Sequence, residues 1–192
     1  MKKTILALGG ALALSGCFGG AKVPDTLMTL NSAQVRPAAT PRSAAEGQAI
    51  TVAVPTVPRE LQTLRVPVHE SELAVSYLKN AQWVEMPATL FARLVSETIG
   101  ATTGRVVLDP KQFSFDPGQR LTGTLQRFGY DAASGQAVAV YDAALGRTGG
   151  GVTTQRFEAR VPAASADAAG VGAALNQAAN QIAADVAQWV GR

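Results

Sequence analysis

Residues 120–161 read RLTGTLQRFGYDAASGQAVAVYDAALGRTGGGVTTQRFEARV, and this stretch decides the fold. It holds three runs with the composition of strands, at 120–130, 136–144 and 152–161. Ser134-Gly135 punctuates the first link, and Gly149-Gly150-Gly151 the second. Three consecutive strands with links this short make an antiparallel meander. Gly123 is its weak point, because a glycine gives a strand interior no side chain to pack.

Downstream, Val171, Leu175, Ala178, Ile182, Val186 and Trp189 keep helical spacing to the C-terminus. Ser165 is placed to cap that helix, with Asp167 in its first turn. Gly170 and Gly172 should weaken its start by about 1 kcal/mol each. Upstream, residues 87–99 form a second amphipathic helix. Pro87 suits its first turn. Leu90, Phe91, Leu94, Val95 and Ile99 share one face, Arg93, Ser96 and Glu97 lie off it, and Gly100 fits as a stop.

The remaining segments read as strands and loops. Residues 105–108 are a short apolar strand ended by Asp109-Pro110. Residues 49–54 alternate Ile50, Val52 and Val54 as a buried strand, closed by Pro55 and Pro58. Residues 61–69 are a strand broken at Pro67, 72–78 are strand-like, 25–31 are a first edge strand, and 32–48 are a loop. The expected fold is of the α+β type within the α/β class. It is a mixed, mainly antiparallel sheet with two main helices packed on one face, in a single domain over 25–192.

The N-terminus carries a different signal. Lys2 and Lys3 precede an apolar run over 4–14, followed by Leu14-Ser15-Gly16-Cys17. That is a positive region, a short apolar region and a small-residue cleavage site over residues 1–16. The apolar run is too short to span a bilayer, which takes about 20 residues. Cys17 is the only cysteine in the chain. The four-residue ending resembles the lipobox of bacterial lipoproteins. The resemblance implies cleavage between Gly16 and Cys17, a covalent lipid on the Cys17 thiol, and acylation, as with palmitate, of the new amine. Two or more acyl chains make such an attachment lasting. Residues 17–24 are then a lipidated N-terminus and tether. Phe18 stands where an Asp marks inner-membrane retention in many lipoproteins, so by that analogy the outer membrane, on its periplasmic face, is favoured over the inner.

Composition narrows the function. Removing residues 1–16 removes Lys2 and Lys3 and no acid, so the net charge falls from +3 to +1. The basic balance then says nothing for nucleic acid, and no basic cluster with interleaved aromatics is present. His69 is the only histidine, and with Cys17 lipidated no free cysteine remains to join it in a metal site. Ser76-Tyr77-Leu78-Lys79 matches S-x-x-K, the nucleophile motif of penicillin-recognising enzymes, and Arg147-Thr148-Gly149 loosely matches their K-T-G. That motif should open a helix, whereas 73–78 reads as strand. No catalytic residue, metal site or cofactor beyond the lipid on Cys17 is expected, and the chain is read as a non-enzyme. Trp83, just before a helix, and Trp189, in a final turn, each suit a core anchor. They are also the candidate partner-interface aromatics.

Several features now line up. A lipobox-like ending precedes a first strand and loop. A strand reaches Gln82-Trp83 and runs into Pro87-Ala88-Thr89-Leu90-Phe91-Ala92-Arg93-Leu94. The meander follows, and an alanine-rich helix ends in Ile182-Ala183-Ala184-Asp185-Val186-Ala187-Gln188-Trp189-Val190. This order resembles the auxiliary lipoproteins of ABC-type transporters, the paraquat-inducible C-type lipoproteins that accompany MCE proteins. The resemblance covers most of residues 25–190. It implies a membrane-anchored periplasmic accessory that docks to the MCE component of a lipid transporter. Its partners would be the MCE-domain protein and the ABC permease complex, with a homo-oligomer also open. The alternative reading is an assembly or binding lipoprotein of another envelope machine.

Overall fold

The computed structural model describes residues 24–34, 43–45, 47–109 and 118–192. Cys17, Gly16 and the tether up to residue 23 lie outside them, as does much of the 32–48 loop. In chain order the elements are β1 (Ala49–Val52), β2 (Arg65–Ser71), β3 (Ala74–Gln82), α1 (Pro87–Thr103), β4 (Val107–Leu108), β5 (Gly118–Asp131), β6 (Gln136–Arg147), β7 (Val152–Pro162) and α2 (Ala168–Val190).

The meander is present as expected. β5 and β6 pair antiparallel from Gln119↔Arg147 to Asp131↔Gln136, and β6 pairs with β7 from Gln136↔Pro162 to Gly146↔Val152. Gly123 does not interrupt β5. A Cβ there would meet the Asp142 carbonyl at 2.2 Å and the Tyr141 ring at 2.7 Å, so the gap a side chain would fill is already occupied. The free edge of β5 is shared by two neighbours. Its start pairs in parallel with β1, which pairs in parallel with β4. Its end pairs in parallel with β2 at Val68↔Tyr130 and His69↔Asp131, and β3 lies antiparallel outside β2. Between these neighbours the chain follows β5 through a bridge at Thr56↔Thr124, then makes a 3-10 turn at Arg59–Leu61. Pro55 and Pro58 lack an N–H and keep this stretch from extending β1.

Both helices cover one face. Phe91 of α1 lies edge-on to Phe128 of β5 and Tyr141 of β6, at 6.4 and 5.1 Å between centroids. Phe157 of β7 meets Trp189 of α2 at 5.7 Å. Ala137, Ala139 and Ala143 of β6 and Ala174, Ala178, Ala179 and Ala183 of α2 are all buried in the same core. Small side chains on both surfaces let helix and strand approach closely, which is where the alanine content goes.

Local departures have physical causes. Residues 25–31 form a single bridge, Met28↔Trp83, instead of a strand. Pro67 does not break β2, because the ladder to β3 already carries a bulge between Arg65 and Pro67. α1 runs past Gly100, which is buried within it, and stops at Gly104, whose φ of +72° is the left-handed cap conformation. Asp167, not Ser165, caps α2: its side chain accepts from Gly170 N–H at 2.9 Å. Val54 is 51% exposed, outside the end of β1.

Candidate functional site

The sequence-marked residues do not converge. Ser76 and Lys79 are three apart on β3, so they leave the strand on opposite faces. Ser76 Oγ donates to Glu70 at 2.7 Å. His69 on β2 has its Nε2 3.3 Å from Glu60 Oε1. Among the described residues no three side chains are grouped to hold a metal. Trp83 is 1% exposed and stacks on Phe128 at 5.6 Å, so it is a core anchor and offers no surface to a partner. Trp189 is partly buried, with one edge against Phe157.

The strongest charge pairs lie outside the helix-covered core. Arg156 grips Asp142 through Nε at 2.6 Å and Nη2 at 2.7 Å, and Gln126 adds a bond at 3.1 Å. The guanidinium holds the Asp142 carboxyl below the usual carboxylate range. Asp131 closes the β5–β6 turn. The backbone N–H and hydroxyl of Ser134 donate to it at 2.9 Å each, and Arg127 at 2.7 Å, which together pull its pKa down to about 2. These bonds pin a turn and a strand pair.

Among the described residues, one feature that could hold something is a groove of about 760 Å³ between α1 and the β1–β4 edge. Its floor is apolar: Val52, Ala53, Val54, Val107 and Leu108. The wall is one stripe of α1, with Ala92 at its base and Arg93, Ser96 and Glu97 on the rim. Arg93 is engaged by Glu85 at 3.1 Å. The groove exists because β4 is only two residues long while the chain beyond β1 continues. Asp109 is followed by Pro110, which has no N–H to carry the parallel ladder further. The sequence marked the Asp109-Pro110 stop but not the groove beside it.

A second feature was missed in the sequence. Residues 28–34 lie along both helices as a strap. Met28 N–H donates to the Gln82 carbonyl at 2.8 Å, and Val84 N–H to the Met28 carbonyl at 2.9 Å. Asn31 N–H donates to Asn176 Oδ1 at 2.9 Å and Ala33 N–H to Asn180 Oδ1 at 2.7 Å, while Asn180 Nδ2 returns a bond to the Asn31 carbonyl at 2.9 Å. Leu30 is buried beneath. The available signal was two asparagines four apart on one helix, a spacing that puts both on one face.

Among known proteins, the family of ABC-type transport auxiliary lipoprotein components matches residues 29–187. No curated protein matches the chain. Solved structures do. A Xanthomonas campestris protein of the DUF330 family is 20% identical with a TM-score of 0.71, over 86% of this chain and 94% of that one. An uncharacterised protein is 17% identical with a TM-score of 0.66, over 77% and 94%. A PelC dodecamer from Paraburkholderia phytofirmans is a far more remote likeness, at 12% identity and a TM-score of 0.42 over 76% and 92%. At these identities the likeness is one of fold. No described helix is long and apolar enough to cross a membrane.

Proposed function

The chain belongs to the family of ABC-type transport auxiliary lipoprotein components, a family of the cell envelope, and on that premise we propose that it serves an MCE-type lipid transporter as a membrane-anchored accessory. It docks to the MCE component at the periplasmic end of the path and acts by binding, without catalysis. The lipid on Cys17 holds it at the membrane, the outer one by the Phe18 analogy. The observation that carries the reading is the span of the family match, which takes in both helices and every strand of the sheet.

Physical chemistry gives the role a purpose. A lipid tail crossing water costs roughly 0.8 kcal/mol per exposed CH₂, and a continuous protein path removes that cost. A docking domain on a short tether is held at high effective concentration for a neighbour at the same membrane. The interior also fits a binding protein. Trp83, Phe91, Phe128 and Tyr141 fill it, and Arg127 and Arg156 are spent on ion pairs with Asp131 and Asp142 that shape a turn and a strand pair.

Affinity capture of the full lipoprotein from detergent-solubilised envelopes tests the reading. An MCE-domain protein and an ABC permease should be recovered with it; recovery of neither overturns the assignment. Cys17→Ser should release the domain from the membrane or leave it unprocessed.

A further inference from the structure

We propose that the tip of the β2–β3 hairpin is a docking finger, which seats Leu73 in an apolar socket rimmed by Lys or Arg on a protein component of the transporter. The proposal rests on the accessory role above and names the surface that role uses.

The hairpin stands clear of the sheet. β2 last pairs with β5 at His69↔Asp131, where β5 ends, while β2 and β3 stay paired out to Ser71↔Ala74. At about 3.3 Å per residue the paired strands run roughly 7 Å past the end of β5, with the Glu72-Leu73 turn beyond them. Residues 70–76 are all exposed; Leu73 is 98% exposed and Val75, two residues on, 45%. The fold has no use for a leucine in that turn. Tight turns are built from Gly, Asn, Asp, Ser or Pro for backbone reasons, and the Leu73 side chain buries nothing in return.

The tip is also preorganised. Leu73 N–H donates to Ser71 Oγ at 3.3 Å, and Ser76 Oγ ties the two strands together by donating to Glu70 at 2.7 Å. At the root, Arg65 lies 4.3 Å over the Tyr77 ring, and the Tyr77 hydroxyl donates to the Glu60 carbonyl at 3.4 Å. An apolar group already held in place gives up little entropy on binding. Charge then selects the partner. Glu70 and Glu72 flank Leu73, neither has an ion pair among the described residues, and no Lys or Arg occurs over residues 66–78. An anionic leaflet repels such a tip, and so does an acidic protein surface. A protein socket with an apolar floor and a basic rim attracts it, which commits the occupant to that chemistry.

The test uses p-benzoyl-phenylalanine incorporated at position 73 of the full-length lipoprotein, expressed in cells with the complete transporter. Position 152 serves as control, because Val152 is 68% exposed and pairs with Gly146 at the opposite end of the sheet. Ultraviolet light should yield an adduct with a transporter protein from position 73 and none from position 152. Leu73→Ser should cut recovery of the transporter in affinity capture by about tenfold or more, the worth of burying one leucine side chain, with the melting temperature unchanged. Glu72→Lys should also weaken capture, and Glu72→Gln should weaken it less. An adduct with phospholipid alone or with a second copy of this chain overturns the finger assignment, as do equal adducts from both positions. So does capture that Leu73→Ser leaves unchanged, or no adduct from position 73 while capture still recovers the transporter, and in each of these cases the accessory role survives. Loss of adduct together with failure of the unmodified lipoprotein to capture the transporter overturns both.

Discussion

Gly170 and Gly172 should respond to alanine with opposite signs. Both stand in the first turns of α2, where by propensity alone Gly→Ala gains up to about 1 kcal/mol. At Gly172 the nearest atom to an added Cβ is Met28 Cε at 3.0 Å, the end of a flexible side chain that can turn away. Most of the gain should survive, for a rise in Tm of roughly 2–4 °C. At Gly170 the Cβ would stand 2.4 Å from Ser165 Oγ, 2.5 Å from its carbonyl oxygen and 2.6 Å from its nitrogen. Two of those atoms are backbone, in the turn that presents Asp167. Overpacking of this kind costs about 1–3 kcal/mol. Displacing the turn also strains the Asp167 cap bond to Gly170 N–H, itself worth about 1 kcal/mol. Set against the propensity gain, the net loss is about 2 kcal/mol and Tm should fall by roughly 4–8 °C. Thermal melts of the full-length lipoprotein in detergent measure both variants. Asp167→Ala supplies a cross-check: its cost should shrink in the Gly170→Ala background, because both changes break one turn. A Gly170→Ala protein that melts at or above the parent would refute the steric reasoning outright.

Trp83→Ala should cost about 3–5 kcal/mol, since it empties a fully buried site stacked on Phe128, whereas Trp189→Ala, at a half-covered site, should cost markedly less; denaturant midpoints rank them, and equal costs would contradict the assigned burial. Asp131 should titrate near pH 2 by carbon-detected NMR. Its folded pKa is depressed, so the stability it contributes is full above about pH 4 and disappears as pH falls through 2, and a measured value near 4 would mean the Ser134 and Arg127 bonds are not formed in solution. Asn176→Ala with Asn180→Ala should raise amide exchange at residues 31–34 while the β5–β6 amides stay protected; uniform loss of protection would make the strap part of the global core.

The meander and both helices were legible because their signals are local. Gly135 marks a tight turn, and Leu90, Leu94 and Val171, Leu175 mark helix faces, whatever lies elsewhere. What stayed hidden depends on pairs far apart in the chain. Nothing in residues 118–131 says that one edge serves β1 at its start and β2 at its end, since strand pairing is set by partners more than 50 residues away. The sign error at Gly170 has a different, local cause: propensity is a property of the helix, and the Ser165 turn five residues earlier, which forbids a Cβ, is not part of it. Val54 misled for a related reason. Its alternation with Ile50 and Val52 is real, but burial also needs a covering element, and β4 ends at Leu108, which pairs with Thr51.

The strap gives the hidden contacts a mechanical meaning. In the proposed anchoring, seven chain steps lead from Cys17 to residue 24, a reach of at most about 25 Å. Were residues 24–34 to peel away, the reach would grow to about 60 Å. The effective concentration of the domain near a membrane-bound partner falls as the −3/2 power of tether length or faster, so the peeled form would be several-fold poorer at docking. Among the described residues six hydrogen bonds hold the strap, two to the β3 end, three to α2 and one between Ser32 Oγ and Thr98 Oγ1 of α1, and Leu30 is buried beneath it. At about 1 kcal/mol net for each bond, losing the Asn176 and Asn180 contacts weakens the bound form by a few kcal/mol. In the proposed anchoring, Asn176 and Asn180 thus set the working length of the leash, and a segment that reads as a nondescript coil decides how far the domain can stand from the membrane.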